Sequence, residues 1–191
     1  MRHRIALGAL VALAALAFAA TASAHARVSP PVALAKQLQL FTLAVPTEKA
    51  NAQTTSIELT LPAGFSIDSF VPASGWKRSV QQTGSGDAAV IQKVTWSGGS
   101  VPTSEDAAFS FLAIPSASKT YTFLVQQTYS DGSIVDWTGP ESADSPAPTV
   151  KAVTSLGGGT STLDIVALAV AAIALIVAVV GLFARGDRTL A

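Results

Sequence analysis

The sequence predicts an all-β domain, a β-sandwich, followed by one C-terminal transmembrane helix. Residues 38–137 consist of short apolar or alternating segments separated by turn residues, with no sustained helical periodicity. Alternation with a period of two is typical of strands that bury one face. Residues 165–184 carry neither a charge nor a proline. Twenty such residues, at ~1.5 Å each in a helix, are long enough to cross a hydrocarbon core of ~30 Å.

Eight strands are predicted in the domain. Ile57, Leu59 and Leu61 share one face of the second strand, and the turn Ser130-Asp131-Gly132 joins the last two strands as a hairpin. Turn signals every ~8 to 12 residues favour a sandwich of the immunoglobulin or cupredoxin type. We expect Trp76 and Trp96 to lie in its core. The predicted strands are 38–45, 56–61, 65–71, 76–82, 90–96, 107–114, 120–129 and 133–137.

Residues 1–24 have the pattern of a secretory signal peptide. A charged start with Arg2 and Arg4 precedes an apolar run over 5–20, and Ala22-Ser23-Ala24 offers a small-residue cleavage site. Cleavage after Ala24 makes His25 the first residue of the mature chain. Cleavage after Ala26 also satisfies the small-residue rule, and the mature chain then begins at Arg27.

The chain after the predicted signal peptide divides into four predicted regions. The β-sandwich domain covers 25–140, a Pro/Ser/Gly-rich linker 141–163, a transmembrane helix 164–184 and a short tail 185–191. Arg185 and Arg188 follow the apolar run, and positive residues favour the cytoplasmic side. The two ends therefore predict a single-pass protein of the cell membrane with its domain on the extracytoplasmic side.

Composition excludes several classes of function. Residues 25–162 hold eight basic and ten acidic side chains, which does not suit a nucleic-acid partner because phosphate neutralisation needs a basic surface. The chain has no cysteine, so thiolate metal sites and a cysteine nucleophile are absent. His3 and His25 are the two histidines. A catalytic triad in the mature chain could therefore use only His25 as its histidine.

An N-terminal histidine is a chelating residue. Its α-amine has a reference pKa of ~7.7 to 8.0, and once deprotonated it can bind one ion together with imidazole Nδ1. Two nitrogens and a carboxylate oxygen favour Cu(II) among the common divalent ions. From the residues alone, any of the ten carboxylates of residues 25–162 could be that ligand, and Asp136 is as good a candidate as Glu48. A solvated terminal histidine with no metal is the alternative.

Several motifs of the mature region resemble one known family. They are His25-x-x-Val28-x-Pro30, Phe41-Thr42-Leu43-x-Val45-Pro46-Thr47-Glu48-Lys49, Gly75-Trp76-Lys77, Thr95-Trp96 and Gln127-Thr128-Tyr129-x-Asp131-Gly132-Ser133-x-Val135-x-Trp137-Thr138-Gly139-Pro140. In this order, over about 25–150, they resemble the YcnI-like family of exported, membrane-anchored copper-binding proteins. Ala26 departs from the family pattern, which favours valine.

The resemblance implies a Cu(II) site and no enzymatic activity. It implies ligation by the amine and imidazole of His25 and by the carboxylate of Glu48, with Trp137 packed beside the metal. The expected role is copper homeostasis or delivery, with a copper transporter or chaperone as a partner. Two other classes stay open from the sequence: a metal-free adhesion or protein-binding sandwich, and an oxidative copper enzyme, which would need a second histidine.

Overall fold

The computed structural model describes residues 25–157 and 161–185. The predicted signal peptide, residues 1–24, lies outside the described residues, as does the tail beyond Arg185. The chain divides into two units, one reaching to Ser155 and one beginning at Leu156. The first is the β domain and the second contains the C-terminal helix.

Twelve strands are found in the described part of the β domain. Every predicted strand has a counterpart, although the segment 120–129 is divided at Phe123. A three-residue 3-10 helix, Gly86–Ala88, precedes the longest strand. The strands are β1 (Arg27–Ser29), β2 (Val32–Leu34), β3 (Gln39–Pro46), β4 (Thr54–Thr60), β5 (Phe65–Phe70), β6 (Lys77–Thr83), β7 (Val90–Val101), β8 (Asp106–Pro115), β9 (Thr120–Thr122), β10 (Leu124–Tyr129), β11 (Ile134–Trp137) and β12 (Thr149–Val153).

The strands form three sheets. Four strands pair in the order β1-β3-β8-β5, five in the order β11-β10-β4-β7-β6, and three in the order β2-β12-β9. Every pairing of named strands is antiparallel except that of β12 with β2. The predicted β-sandwich is confirmed, and most of its strands are neighbours of strands distant in the chain.

Aromatic side chains join the sheets in the core. Trp96 of the five-stranded sheet stacks on Phe109 of the four-stranded sheet, with ring centroids 4.3 Å apart. Phe65 packs edge-on against Phe123 at 4.8 Å and against Tyr121 of the third sheet at 5.5 Å. Such aromatic pairs contribute about 0.5 to 1.5 kcal/mol beyond the area they bury. Trp96 is therefore a core residue as predicted, and it helps hold two sheets face to face.

The structure differs from the predicted linker over 141–163. Residues 149–153 form β12, which pairs with β2 and β9 and buries Val150 and Ala152 almost completely. The alternation of Val150, Lys151 and Ala152 is short and follows a Pro/Ser-rich segment, so local composition hid it. The β domain therefore extends at least to Val153.

A single α-helix, α1 (Thr162–Arg185), is found in the second unit's described residues. It begins with a capping box, in which the Asp164 N–H donates to Ser161 Oγ at 3.0 Å and the Ser161 N–H donates to Asp164 Oδ2 at 2.8 Å. Residues 162–181 of α1 are long and apolar enough to cross a membrane. The predicted apolar C-terminal helix is confirmed.

Truncation of Val150 tests whether β12 is part of the core. We expect Val150→Ala to lower the free energy of unfolding by about 2 kcal/mol, because a fully buried side chain is shortened in a packed interior. The measurement is urea denaturation followed by circular dichroism. Lys151→Ala, one residue along on the exposed face, is the control and should change stability by less than about 0.5 kcal/mol. Equal, small effects would mean that β12 is not packed.

Candidate metal centre

The first strand brings His25 to the end of β3. Arg27 pairs with Ala44 and Val28 with Leu43 in the antiparallel ladder of β1 and β3. Continuing this register by two residues places His25 opposite Pro46, the last residue of β3. His25 is half-buried, since Ala26 behind it points into the core and is only 4% exposed. His25 and the segment that follows Pro46 therefore lie at the same edge of the four-stranded sheet.

Glu48 is exposed on a short segment whose two flanks are fixed. On one side, the buried Thr47 donates its N–H to Glu105 O at 2.9 Å and accepts the N–H of Ser104 at 2.9 Å. Its hydroxyl lies 2.7 Å from that of Thr54. Backbone and side-chain bonds together leave Thr47 little freedom, so the Glu48 carboxylate projects from a rigid point on the surface.

Lys49 fixes the other flank of Glu48. Its ammonium forms a salt bridge with Asp131 and donates to Ser133 Oγ at 2.8 Å, both in the turn between β10 and β11. The Lys49 side chain and the donors of Ser133 hold the pKa of Asp131 well below its usual range. The turn Asp131-Gly132-Ser133 thus holds the segment that carries Glu48 in place through Lys49.

The phenol of Tyr129 supports the same segment from inside. Tyr129 is 3% exposed, and its ring lies 5.9 Å from the Lys49 ammonium. Burial raises the pKa of Tyr129, while the nearby backbone N–H groups of Glu48 and Lys49 act in the opposite direction. The aromatic side chain therefore contacts the backbone directly beneath Glu48.

Trp137 is connected to this region through one buried amide. Its indole N–H donates to Gln127 Oε1 at 3.0 Å, and Gln127 Nε2 donates to Pro46 O at 2.9 Å and to Thr54 Oγ1 at 2.7 Å. An indole nitrogen only donates and a proline carbonyl only accepts, so the orientation of the Gln127 amide is fixed. Trp137 and Gln127 are both essentially inaccessible to solvent.

The predicted ligands His25 and Glu48 line two different depressions. His25 lines a cleft of about 510 Å³ together with Pro140, Glu141 and Pro148. Glu48 lines a second one of about 340 Å³ with Glu105 and Asp106. We call this end of the sandwich, where His25, Pro46 and Asp106 lie, the N-terminal pole. Within residues 25–157 and 161–185, no group of three or more His, Asp or Glu side chains is arranged to hold a metal ion. A site here needs a donor that is not a side chain.

An exposed ion pair ties the first strand to β8. Arg27 Nη2 lies 3.0 Å from Asp106 Oδ2, which belongs to the residue paired with Pro46. Exposed pairs of this kind contribute little stability, about 0 to 1 kcal/mol. Its effect here is geometric, because it holds Arg27 and hence the backbone next to His25 against the sheet.

Asp136, the alternative carboxylate, lies on the outer face of the five-stranded sheet. It pairs with Gln126 across β10 and β11 and accepts a hydrogen bond from Gln126 Nε2 at 3.0 Å. Side chains alternate along a strand, so Asp136 faces outward where its neighbour Trp137 faces the core. Glu48, in contrast, follows Pro46 directly after Thr47 at the N-terminal pole.

Comparison with known proteins identifies the family. Residues 25–152 match the model of a domain of unknown function, DUF1775. The chain belongs to the DUF1775 family. It is 34% identical over 184 residues to the copper-binding protein CutI of Bacillus subtilis (strain 168), which covers 87% of this chain and 89% of CutI. The resemblance to the YcnI-like family is thereby confirmed.

A solved structure of another protein has the same fold. The crystal structure of an uncharacterized protein from Nocardia farcinica, described as immunoglobulin-like, superposes with a TM-score of 0.58 at 32% sequence identity. The match covers 68% of this chain and 99% of that one. The DUF1775 domain of this chain is thus an immunoglobulin-like sandwich.

Gln127 was not predicted from the sequence as part of the site. Alternation along 120–129 places Tyr121, Phe123 and Val125 on one face, and Gln127 continues this inward face with a polar side chain. A buried amide costs free energy unless its hydrogen bonds are satisfied. A glutamine at an inward position of the DUF1775 hairpin motif was therefore the signal that could have found it.

Removal of the Gln127 amide tests how much its hydrogen bonds contribute to the stability of the domain. We expect Gln127→Leu to lower the free energy of unfolding by about 3 kcal/mol, because the Trp137 indole N–H and the Pro46 carbonyl lose their partner while buried. Urea denaturation measures the change. Gln126→Leu, on the exposed face of the same strand, is the matched control and should stay within about 0.5 kcal/mol. Similar values for both variants would contradict the network.

Proposed function

We propose that this DUF1775 protein binds Cu(II) through its mature N-terminus. The ligands are the α-amine and imidazole Nδ1 of His25 and the carboxylate of Glu48, with Trp137 beneath the site. The observation that carries the proposal is the register of β1 on β3, which extends to place His25 opposite Pro46, two residues before Glu48. The identity to CutI, a protein named for copper binding, supports the choice of metal.

The chemistry of this donor set favours Cu(II). Removal of residues 1–24 would free the His25 amine, and amine plus imidazole closes one chelate ring on the metal. Nitrogen donors bind Cu(II) more strongly than other common divalent ions by the Irving–Williams order. Glu105 and Asp106 share the Glu48 cleft and add negative charge that attracts a cation. A centre with so few protein ligands leaves positions open through which copper can be passed on.

The cellular role that follows is copper homeostasis at a membrane. In this proposal α1 spans the cell membrane once and holds the domain on the extracytoplasmic side, where it stores copper or delivers it to a transporter or chaperone. The site binds and does not catalyse, since an oxidative copper site would call for a second histidine. The length and apolar character of α1 support the anchoring.

Blocking the amine tests its role as a ligand. We expect acetylation of the mature chain at His25 to weaken Cu(II) binding by at least about 100-fold, which corresponds to ~2.7 kcal/mol, because one chelating nitrogen is lost. Isothermal titration calorimetry with a competing chelator measures the affinity. A chain that starts at Arg27 should lose the site altogether. Equal affinity with free and acetylated amines would contradict the proposal.

Neutralising Glu48 tests the oxygen ligand. We expect Glu48→Gln to weaken Cu(II) binding by about tenfold, ~1.4 kcal/mol, because an amide oxygen is a poorer ligand than a carboxylate. Glu105→Gln is the matched control, since it removes the same charge from the same cleft and should weaken binding by about twofold or less. If both variants lose affinity equally, the cleft attracts copper only by its charge and Glu48 is not a ligand.

A further inference from the structure

The β domain has two poles with different chemistry. Strands β3 and β8 run between them, from Gln39 and Pro115 at one end to Pro46 and Asp106 at the N-terminal pole. The last strand, β12, ends at the pole that contains Gln39 and Pro115. Val153 O accepts the N–H of Ala35 at 2.8 Å, and Pro115 O accepts the N–H of Lys36 at 2.6 Å. We call this end, made of residues 34–40, 61–66, 113–120 and 150–155, the exit pole, because the chain leaves the domain there.

The exit pole carries positive charge only. Its four segments contain Lys36, Lys119 and Lys151 and neither Asp nor Glu. All three lysines are exposed, and Lys119 donates one hydrogen bond, to Ala63 O at 3.0 Å, leaving donors free. One exposed carboxylate borders this pole, since Asp68 of β5 lies between the residues that pair with Ala113 and Leu112. The N-terminal pole, in contrast, carries several carboxylates, among them Glu48, Glu105 and Asp106.

Two exposed leucines follow Lys36 in its segment of the exit pole. Leu38 is 49% and Leu40 is 54% exposed. Leu40 pairs with Leu112 on the outer face of the four-stranded sheet, and Ile114 follows on the same face. Lysines and exposed leucines at one end of a domain are the combination that an amphipathic contact surface presents.

We propose that the exit pole docks on an anionic lipid surface. Lysines attract the phosphates of anionic headgroups, and leucines beside them enter the interfacial layer, which is how amphipathic surfaces bind membranes. The inference rests on the anchoring in the proposed function, and chain length supports it. The eight residues between Val153 and Thr162 can extend over at most about 30 Å. The exit pole is therefore never far from the lipid in which α1 would be held.

Docking in this manner has a consequence for the metal centre. The N-terminal pole lies at the opposite end of β3, which has eight residues and extends about 25 Å. With the exit pole on lipid, His25 and Glu48 face the aqueous side. The basic pole is then neutralised by lipid phosphates, and the acidic pole remains free to attract copper and a partner.

Single-cysteine labelling of the full chain tests the docking, because the natural sequence has no cysteine. An environment-sensitive fluorophore is attached at Leu40→Cys or, as the matched control at the N-terminal pole, at Glu105→Cys. Each protein is reconstituted in neutral phosphatidylcholine vesicles and in vesicles with about 30% phosphatidylglycerol, both containing a lipid whose headgroup carries a nitroxide quencher. We expect at least threefold stronger quenching at position 40 than at 105 in the anionic vesicles.

The charge-reversed chain Lys36→Glu, Lys119→Glu, Lys151→Glu should lose this difference while keeping its melting temperature and its flotation with vesicles. Equal quenching at both positions in chains that float would overturn the docking and leave the anchor intact. Failure of the parent chain to float with neutral vesicles would reject the anchoring and the docking together. The Cu(II) affinity is measured in a separate experiment and tests the metal site independently. Energy transfer between labels at position 40 that is independent of lipid charge would show that the face joins two copies, which also overturns the proposal.

Discussion

The fully buried amide of Gln127 is the constraint on which the N-terminal pole depends. It binds the indole of Trp137, the carbonyl that ends β3 and the hydroxyl of Thr54, so three strands of two sheets meet at one side chain. Away from water, each of these groups is costly to leave unpaired, and the arrangement therefore has essentially one satisfied geometry. The position of the segment after Pro46 follows from that geometry.

Rigid placement of donors is what a site with few protein ligands requires. Glu48 stands between Thr47, held by backbone bonds, and Lys49, held by the turn at Asp131. His25 is brought to the same pole by pairing of β1 on β3. The motifs that contain Glu48 and Asp131 lie far apart in the chain, yet Lys49 and Asp131 form a salt bridge and Gln127 bonds to Pro46 O. Under the two proposals, the acidic pole binds a cation and the basic pole binds lipid.

Much of the fold could be predicted because apolar and polar residues alternate along its longer strands, and the apolar ones are buried, as at Ile57, Leu59 and Leu61. The strands β1, β2 and β12 could not, since three to five residues next to prolines give too short a pattern, and only long-range pairing stabilises them. For the site, the residues alone suggested His25 but did not separate Glu48 from Asp136. The separation depends on which way a strand faces relative to a distant neighbour, which is a property of register. For Gln127, the sequence pattern places a polar residue on an inward face, but it does not identify the three groups that Gln127 bonds to.

Electron–nuclear double resonance of the Cu(II)-loaded mature protein, grown with 15N-labelled histidine, tests the central claim most directly. A chain that starts at His25 lacks His3 and therefore carries the label in one residue alone. The account predicts two distinct 15N couplings of directly bound nitrogens, one from the amine and one from the imidazole. A single 15N coupling, or none, would contradict it.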